Sequence, residues 1–435
     1  MRLSLRFLAL AGIVVLLAVA AFWGAEPLGL WRWSVLLLAA ALAWEWWEAR
    51  NLPLRLGLSA ERTPRLGVPT RVRVELDAER PVRARHRLVG SEGLHATSGD
   101  GRFDLAIRGG QPPVDGPASY DAEVLPVRLG PTTLGAQWLE LAGALGLGYW
   151  QRRLPVEEAL RVAPARLADR IGTPGSAPLG GRRRPRAGHG AEVFALREQR
   201  PGDSAARIDW KATARRARPV IRETEAEEQL ELVLVLDAGL GAGIVQGPLT
   251  RFGHAANVAA RLAEYAELHG DRSGLLVYAD RVLVRVPVGR GRAQLERIRG
   301  ALGGADARSR ESNPLAAMLE VRAMVRHRAL VVVFADLDDA DAAGQLVAAT
   351  RLLRPVHLPL VAAIRDEESE ALAQRRPEGW RDPWYALAVE ELDRVAEGTR
   401  LRLQRLGAEV VHTHADELDG ALRRRYARLR REHRV

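Results

Sequence analysis

The segment LELVLVLD, residues 230–237, decides the fold. It is apolar at nearly every position, as a strand covered on both faces must be, and it closes on an acid. Downstream, over 251–269, Phe252, Ala255, Val258, Ala259, Leu262 and Tyr265 recur at three- and four-residue spacing, which is helical. GLLVYAD (274–280) and VLVRVPV (282–288) read as adjacent strands. ALVVVFADLDD (329–339) is another buried strand ending in acids, preceded by a helix that Asn313 and Pro314 would start. LPLVAAI (358–364) and AEVVHTH (408–414) supply further strands, with helices over 340–353, 384–406 and 416–431. This alternation predicts an α/β domain over 230–435, doubly wound around a mainly parallel sheet.

Upstream the period changes to two. RVRVEL (71–76) alternates strictly, VRARHRLV (82–89) does so in large part, and FDLAIRGG, YDAEVLPVRLG and AQWLELAG continue the pattern between turn residues. A small β-sandwich-like domain is expected over 51–170, most simply a spacer. Residues 171–190 read as a Gly/Pro/Arg linker; its RRRPR cluster is a solvated run, with anionic headgroups as the alternative contact.

Residues 7–23, FLALAGIVVLLAVAAFW, carry no charge, and as a helix they would span about 26 Å, near the thickness of a bilayer core. A second apolar run, 30–47, follows the short GAEPLG link and contains only Arg32 and Glu45 as charges. Trp31, Trp33, Trp44, Trp46 and Trp47 sit where interfacial aromatics belong. The expectation is a transmembrane helical hairpin over 1–50, in contact with lipid through residues 7–47. A cleaved signal peptide, with Ala18-Val19-Ala20 as the cleavage-like site, is the competing reading. Arg2 and Arg6 flank the first run, Arg50, Arg55, Arg62 and Arg65 follow the second, and the link holds only Glu26. The positive-inside rule then places both ends and all soluble parts in the cytoplasm, on the inner membrane.

Composition narrows the chemistry. Of 435 residues, 27% are charged and 47% hydrophobic, which excludes a disordered chain. With no cysteine, disulfides, thiolate-bound metals and a cysteine nucleophile are excluded. The net charge of +10 comes almost wholly from arginine, Lys211 being the single lysine, so it reads as a coding bias and no nucleic-acid partner is expected. Neither His-Glu-x-x-His nor Gly-x-Ser-x-Gly occurs, and the spacing of His412 and His414 suits a solvent-facing strand.

Between linker and sheet, over 191–229, charged, aromatic and turn residues crowd together. Pro201-Gly202-Asp203 is a turn, Asp209 and Lys211 flank Trp210, and Arg197, Arg207 and Arg215 supply forked donors. Two readings stand: an ion-pair cluster around a buried tryptophan, with Lys211 in a tight pocket paired to Asp209 or Asp203, or a partner-binding surface. The run Leu196-Arg197-Glu198, Pro201-Gly202-Asp203, Ile208-Asp209-Trp210-Lys211 and Ala214-Arg215 resembles the hallmark of the bacterial family called domain of unknown function 58. It departs from that pattern at Gln199, Ser204 and Ala206, where the family has tyrosine, an acid and arginine; Arg207 stands one position later. The resemblance implies a von Willebrand factor A-like C-terminal domain, a membrane anchor, and a MoxR-type AAA+ ATPase as partner.

In von Willebrand A domains an Asp-x-Ser-x-Ser loop, a threonine and a later acid hold a divalent cation, an all-oxygen set suited to magnesium. Here the loop is Asp237-Ala238-Gly239-Leu240-Gly241, with glycine at both hydroxyl positions, Asp336 at the place of the second acid and Ser312 near the region of the threonine. A degenerate, empty site is expected, with no cofactor. The functional expectation is a non-enzymatic membrane-anchored adaptor in protein-complex assembly or activation, its client unnamed. The alternatives are a metal-dependent hydrolase using Asp237 and Asp336, and a structural membrane scaffold.

Overall fold

The computed structural model describes residues 2–24, 30–79, 82–88, 93–97, 102–107, 118–155, 158–167, 187–200, 208–216, 218–225, 230–354, 356–376 and 378–432. Glu231–Asp237 runs through the middle of a six-stranded sheet. Arg272–Tyr278 lies parallel on one side, and Val282–Gly289 turns back antiparallel to close that edge. On the other side Leu330–Phe334, Leu358–Ile364 and Glu409–Thr413 follow in order, all parallel. In sequence order the strands therefore read third, second, first, fourth, fifth, sixth, and the sheet is mixed.

The two faces of the central strand explain its unbroken apolar run. Leu232, Leu234 and Leu236 pack with helices Arg251–Leu268, Arg292–Leu302 and Ala415–Arg431. Val233 and Val235 point the other way, into Pro314–Met324, Ala340–Leu353 and Asp382–Arg405. A period of two with helices on both faces leaves no position for a polar side chain. Asn313 caps its helix by accepting from the Ala316 amide, with Pro314 in the first turn. Within 230–435 two described α-helices lie outside the sequence expectation, Arg292–Leu302 and Glu367–Gln374; both are short and charge-rich.

Among the described residues the upstream segment folds into a two-stranded antiparallel sheet, which pairs Gly130–Leu134 with Glu158–Val162, and two larger antiparallel ones. One orders Arg2–Leu3, Gly148–Leu154, Gln137–Ala142, Val82–Arg87 and Arg102–Ile107; the other orders Leu54–Ala60, Thr70–Ala78, Ala118–Pro126 and Leu94–Ala96. Leu76 and Ala78 of the second sheet pack against Ala84, Leu139, Leu141 and Trp150 of the first. The unit meets the α/β domain through Asn257, whose side chain accepts from the Ala165 amide (2.9 Å) and donates to the Leu66 carbonyl (3.1 Å).

Among the described residues one helix, Leu5–Phe22, is long and apolar enough to cross a membrane. A second helix, Leu30–Asn51, packs against it and carries Arg32, Glu45, Glu48 and Arg50. The linker expected over 171–190 falls outside the described residues up to 186, but 187–190 belong to strand Ala187–Glu198, which corrects its C-terminal boundary. That strand pairs antiparallel with Val220–Glu225, forming a ribbon around the short helix Trp210–Arg216.

Candidate functional site

Two arrangements stand out: an acid cluster at the carboxyl ends of the sheet strands, and the ribbon just described. Parallel strands that all end on one side bring their following loops together, so residues far apart in sequence meet there.

Asp237 ends the central strand. Its Oδ1 accepts from the Gly239 amide (2.8 Å) and from Ser312 Oγ (2.5 Å), and its Oδ2 from the Tyr278 hydroxyl (3.3 Å). Burial raises the Asp237 carboxyl above its usual range, while those three hydrogen bonds work against the rise. The Tyr278 phenol is pushed well up by burial and by the neighbouring Asp237 charge.

Asp336 follows the next strand, and Arg251 claims it. One guanidinium nitrogen donates to Asp336 Oδ2, and the other donates to Asp338 Oδ2 at 2.9 Å. The Asp338 amide closes the loop on Asp336 Oδ1 (3.2 Å). All three side chains are largely buried. Burial, then repulsion from Asp336, pushes the Asp338 carboxyl up to about 6, with Arg251 pulling in the opposite direction. Asp339, next in the acid run, instead caps helix Ala340–Leu353.

The glycines of the Asp237 loop now have a steric reason. A Cβ at position 239 would lie 2.0 Å from Ser312 Oγ, and one at 241 would lie 2.9 Å from Asp336 Oδ2. Ser312 thus brings a hydroxyl to Asp237 from another loop, through the space that a side chain at 239 would need.

A cavity of ≈ 630 Å³ opens here, walled by Asp237, Arg251, Tyr278, Ser312, Phe334 and Asp336. A neighbouring one of ≈ 780 Å³ shares Arg251 and Asp336 and is walled further by Asp338, Arg365, Asp393 and His412. His412 is therefore half-buried rather than on a solvent face, a correction to the reading from strand spacing; burial and the Arg365 charge hold its imidazole down at about 4. Sequence reasoning brought Asp237, Asp336 and Ser312 to this end of the sheet but missed Arg251 and Asp338. A signal was present: Arg251 is the first residue of its helix, where the macrodipole disfavours a cation unless acids offset it.

In the ribbon, Leu196, Arg197 and Glu198 pair with Arg222, Ile221 and Val220. Arg197 donates to the Glu198 carbonyl (3.0 Å), and Glu198 pairs with Arg218 (3.2 Å) in the open. Asp209 caps the short helix: its carboxylate accepts from the Ala212 amide (3.0 Å), and its own amide donates to the Val220 carbonyl (2.8 Å). Pro201, Gly202, Asp203 and Arg207 lie outside the described residues. The buried-tryptophan reading is corrected: Trp210 is 71% exposed, and Lys211 and Arg215 are exposed beside it. The helix turns only Ala212 and Thr213 inward, the latter accepting from the Val220 amide, so its other face must carry Trp210, Lys211 and Arg215 outward.

A family model described as "Protein of unknown function DUF58" matches residues 195–409. Uncharacterised proteins of Mycobacterium tuberculosis and Mycobacterium bovis are 31% identical over 105 residues, 24% of this chain. The chain spans about a third (33%) of the length of the curated relatives it matches. Among solved structures, an aerotolerance-related membrane protein from Bacteroides fragilis shows 13% identity and a TM-score of 0.28, covering 45% of this chain and 97% of that one. The conserved hypothetical protein BatB from Bacteroides thetaiotaomicron shows 12% identity and a TM-score of 0.29, covering 46% and 99%. The match over 195–409 takes in both the ribbon and most of the sheet, and through it this chain belongs to the DUF58 family of proteins of unknown function.

Proposed function

We propose that this protein is a non-enzymatic, membrane-anchored adaptor that presents a von Willebrand A-like domain in the cytoplasm and binds a MoxR-type AAA+ ATPase. The anchor is a two-span hairpin through residues 7–47 of the inner membrane, and the strand order around Glu231–Asp237 supports the doubly wound reading. The observation that carries the adaptor role is the outward face of the Trp210–Arg216 helix. An exposed tryptophan beside Lys211 and Arg215 is the residue type that anchors protein interfaces, and a short capped helix lowers the cost of ordering its backbone.

The residues at the strand ends do not fit a resident magnesium ion. Asp336 and Asp338 are bridged by Arg251, whose guanidinium is an internal cation, and side chains at the two hydroxyl positions of the loop would press on Ser312 Oγ and Asp336 Oδ2. This favours the adaptor over the hydrolase, because Asp336 is held by Arg251 and Asp237 by Ser312, Tyr278 and the Gly239 amide.

The full chain in detergent, mixed with the ATPase, should retain it on a column. Trp210→Ala and Lys211→Ala should leave the melting temperature nearly unchanged and weaken retention. Undiminished retention in both variants would overturn the assignment of this face, and a large fall in melting temperature would return the helix to a purely structural role.

A further inference from the structure

The loop between strands Gln137–Ala142 and Gly148–Leu154 reads LAGALGLG over 141–148, with no polar or charged side chain. Exposed loops are ordinarily polar, because water must satisfy their backbone. This one needs no water for most of its donors. The Gly143 amide donates to the Gly148 carbonyl (2.9 Å) and the Gly146 amide to the Gly143 carbonyl (2.9 Å). Leu145, Leu147 and Gly148 donate to the carboxylate of Glu45, at 2.7, 3.1 and 3.1 Å. Glu45 is wholly buried, and a Cβ at Gly143 would collide with its carboxylate, so only glycine admits it.

The same loop holds the foot of the first helix. The Ser4 amide donates to the Leu147 carbonyl (2.9 Å), Ser4 Oγ donates to the Gly146 carbonyl (2.5 Å), and Arg2–Leu3 pairs with Gly148 and Tyr149. Leu5–Phe22 is about 27 Å long, close to the ~30 Å of a hydrocarbon core, and its uncharged run starts at Phe7, so the core boundary lies at the step from Arg6 to Phe7. Ser4, and with it Leu147, is then within one helical turn of that boundary, at headgroup level. Around it, apolar side chains face outward: Leu145 is 48% exposed, Leu3 40% and Tyr149 37%. Non-helical backbone tolerates low dielectric only where its polar groups are paired internally, and here Glu45 and Ser4 supply that pairing.

We propose that the 143–148 loop is a membrane-seated wedge, with Leu145, Leu3 and Tyr149 in contact with lipid at the headgroup–acyl boundary. The β-sandwich is thereby held against the bilayer rather than hung from it, with Glu45 as the positioning residue. The inference rests on Leu5–Phe22 being a membrane span.

The native chain has no cysteine, so single-site labelling is clean. Leu145→Cys in the full chain, carrying an environment-sensitive nitrobenzoxadiazole label, is placed in phospholipid vesicles containing lipid spin-labelled either near the headgroup or near the chain end. The Leu145 probe should lose most of its emission to the shallow quencher and less to the deep one. A Val15→Cys probe within the span should respond to the deep quencher, and a Leu401→Cys probe on the α/β domain to neither. Adding Glu45→Gln should release the Leu145 probe from the shallow quencher while the Val15 probe stays quenched. A silent Leu145 probe beside a quenched Val15 probe overturns the wedge and leaves the span standing; silence at both overturns the span and the wedge together.

Discussion

Ser312 Oγ donates to Asp237 Oδ1 at 2.5 Å from a loop seventy-five residues away, and it does so through the volume a side chain on residue 239 would fill. The loop after the central strand and the loop before helix Pro314–Met324 are thus sterically complementary. One lacks a side chain where the other inserts a hydroxyl. The same hydroxyl also supports a carboxylate whose burial would otherwise favour its neutral form.

That complementarity makes Gly239→Ser a destabilising change although it restores a hydroxyl. Overpacking of this kind typically costs about 1–3 kcal/mol. Gly239→Ser combined with Ser312→Gly should recover most of the loss, because the added group would occupy the vacated space. Urea denaturation of the two single variants and the double variant gives the coupling. Purely additive losses would mean that the two positions do not compete.

His86 gives the β-sandwich an acid-sensitive joint. Its Nδ1 is hydrogen-bonded to the Tyr120 hydroxyl on the opposite sheet, and burial pushes the imidazole down to about 4. An unfolded histidine titrates near 6.5, so from there down to about 4 the unfolded chain binds more protons than the folded one. The stabilisation is fully present above pH 6.5, falls through that window and is gone below it; the span is worth roughly 3 kcal/mol. His86→Gln should flatten the slope of stability against pH between 6.5 and 4 relative to the native protein. Parallel slopes would show that His86 does not report on the sandwich.

The sheet was legible in the sequence because its strands are covered on both faces, so LVLVL (232–236) and ALVVVF are unbroken apolar runs and announce themselves. Arg292–Leu302 was not, since RAQLERIRGAL buries only Gln294, Leu295, Ile298, Arg299 and Leu302 and reads as a charged loop. At the strand ends, Asp237 and Asp336 follow from strand position alone. Arg251 does not, because its partners lie 85 and 87 residues away and only the tertiary fold brings them together. Trp210 misleads for the opposite reason: a tryptophan among charges suggests burial, yet a helix of seven residues has too little inward face to hide it. Glu45, one of two charges in the second apolar run, accepts three hydrogen bonds from a loop a hundred residues away, which sequence alone does not reveal.

The proposed topology rests on the arginines that flank the two apolar runs and on the way both helix feet meet one loop. Ser4 and Glu45 contact the same 143–148 segment, which puts the start of the first helix and the end of the second on the side of the β-sandwich. A reporter enzyme active only outside the cytoplasm, fused after residue 435, should stay silent. Strong external activity would mean that the first run is a cleaved signal.

Arg251 is where the fate of the strand-end site is decided. With the guanidinium present, Asp336 and Asp338 share one internal cation, and millimolar magnesium should leave the melting temperature of the full chain unchanged. Arg251→Ala leaves two facing carboxylates in a largely buried place, and breaking such a pair costs about 3–5 kcal/mol. The loss should shrink on acidification, since the folded-state value for Asp338 already lies above the unfolded one near 3.9, so protonation between about 6 and 4 favours the folded form. Asp338→Asn in the Arg251→Ala background should relieve the same repulsion at neutral pH. The freed acids, with Asp237 nearby, should also make the variant responsive to magnesium, up to ~2.7 kcal/mol at a hundredfold excess over the dissociation constant. The reverse pattern would sink the internal-cation reading: a native protein stabilised by magnesium, with the effect abolished by Asp237→Ala, would restore a metal centre and with it the hydrolase.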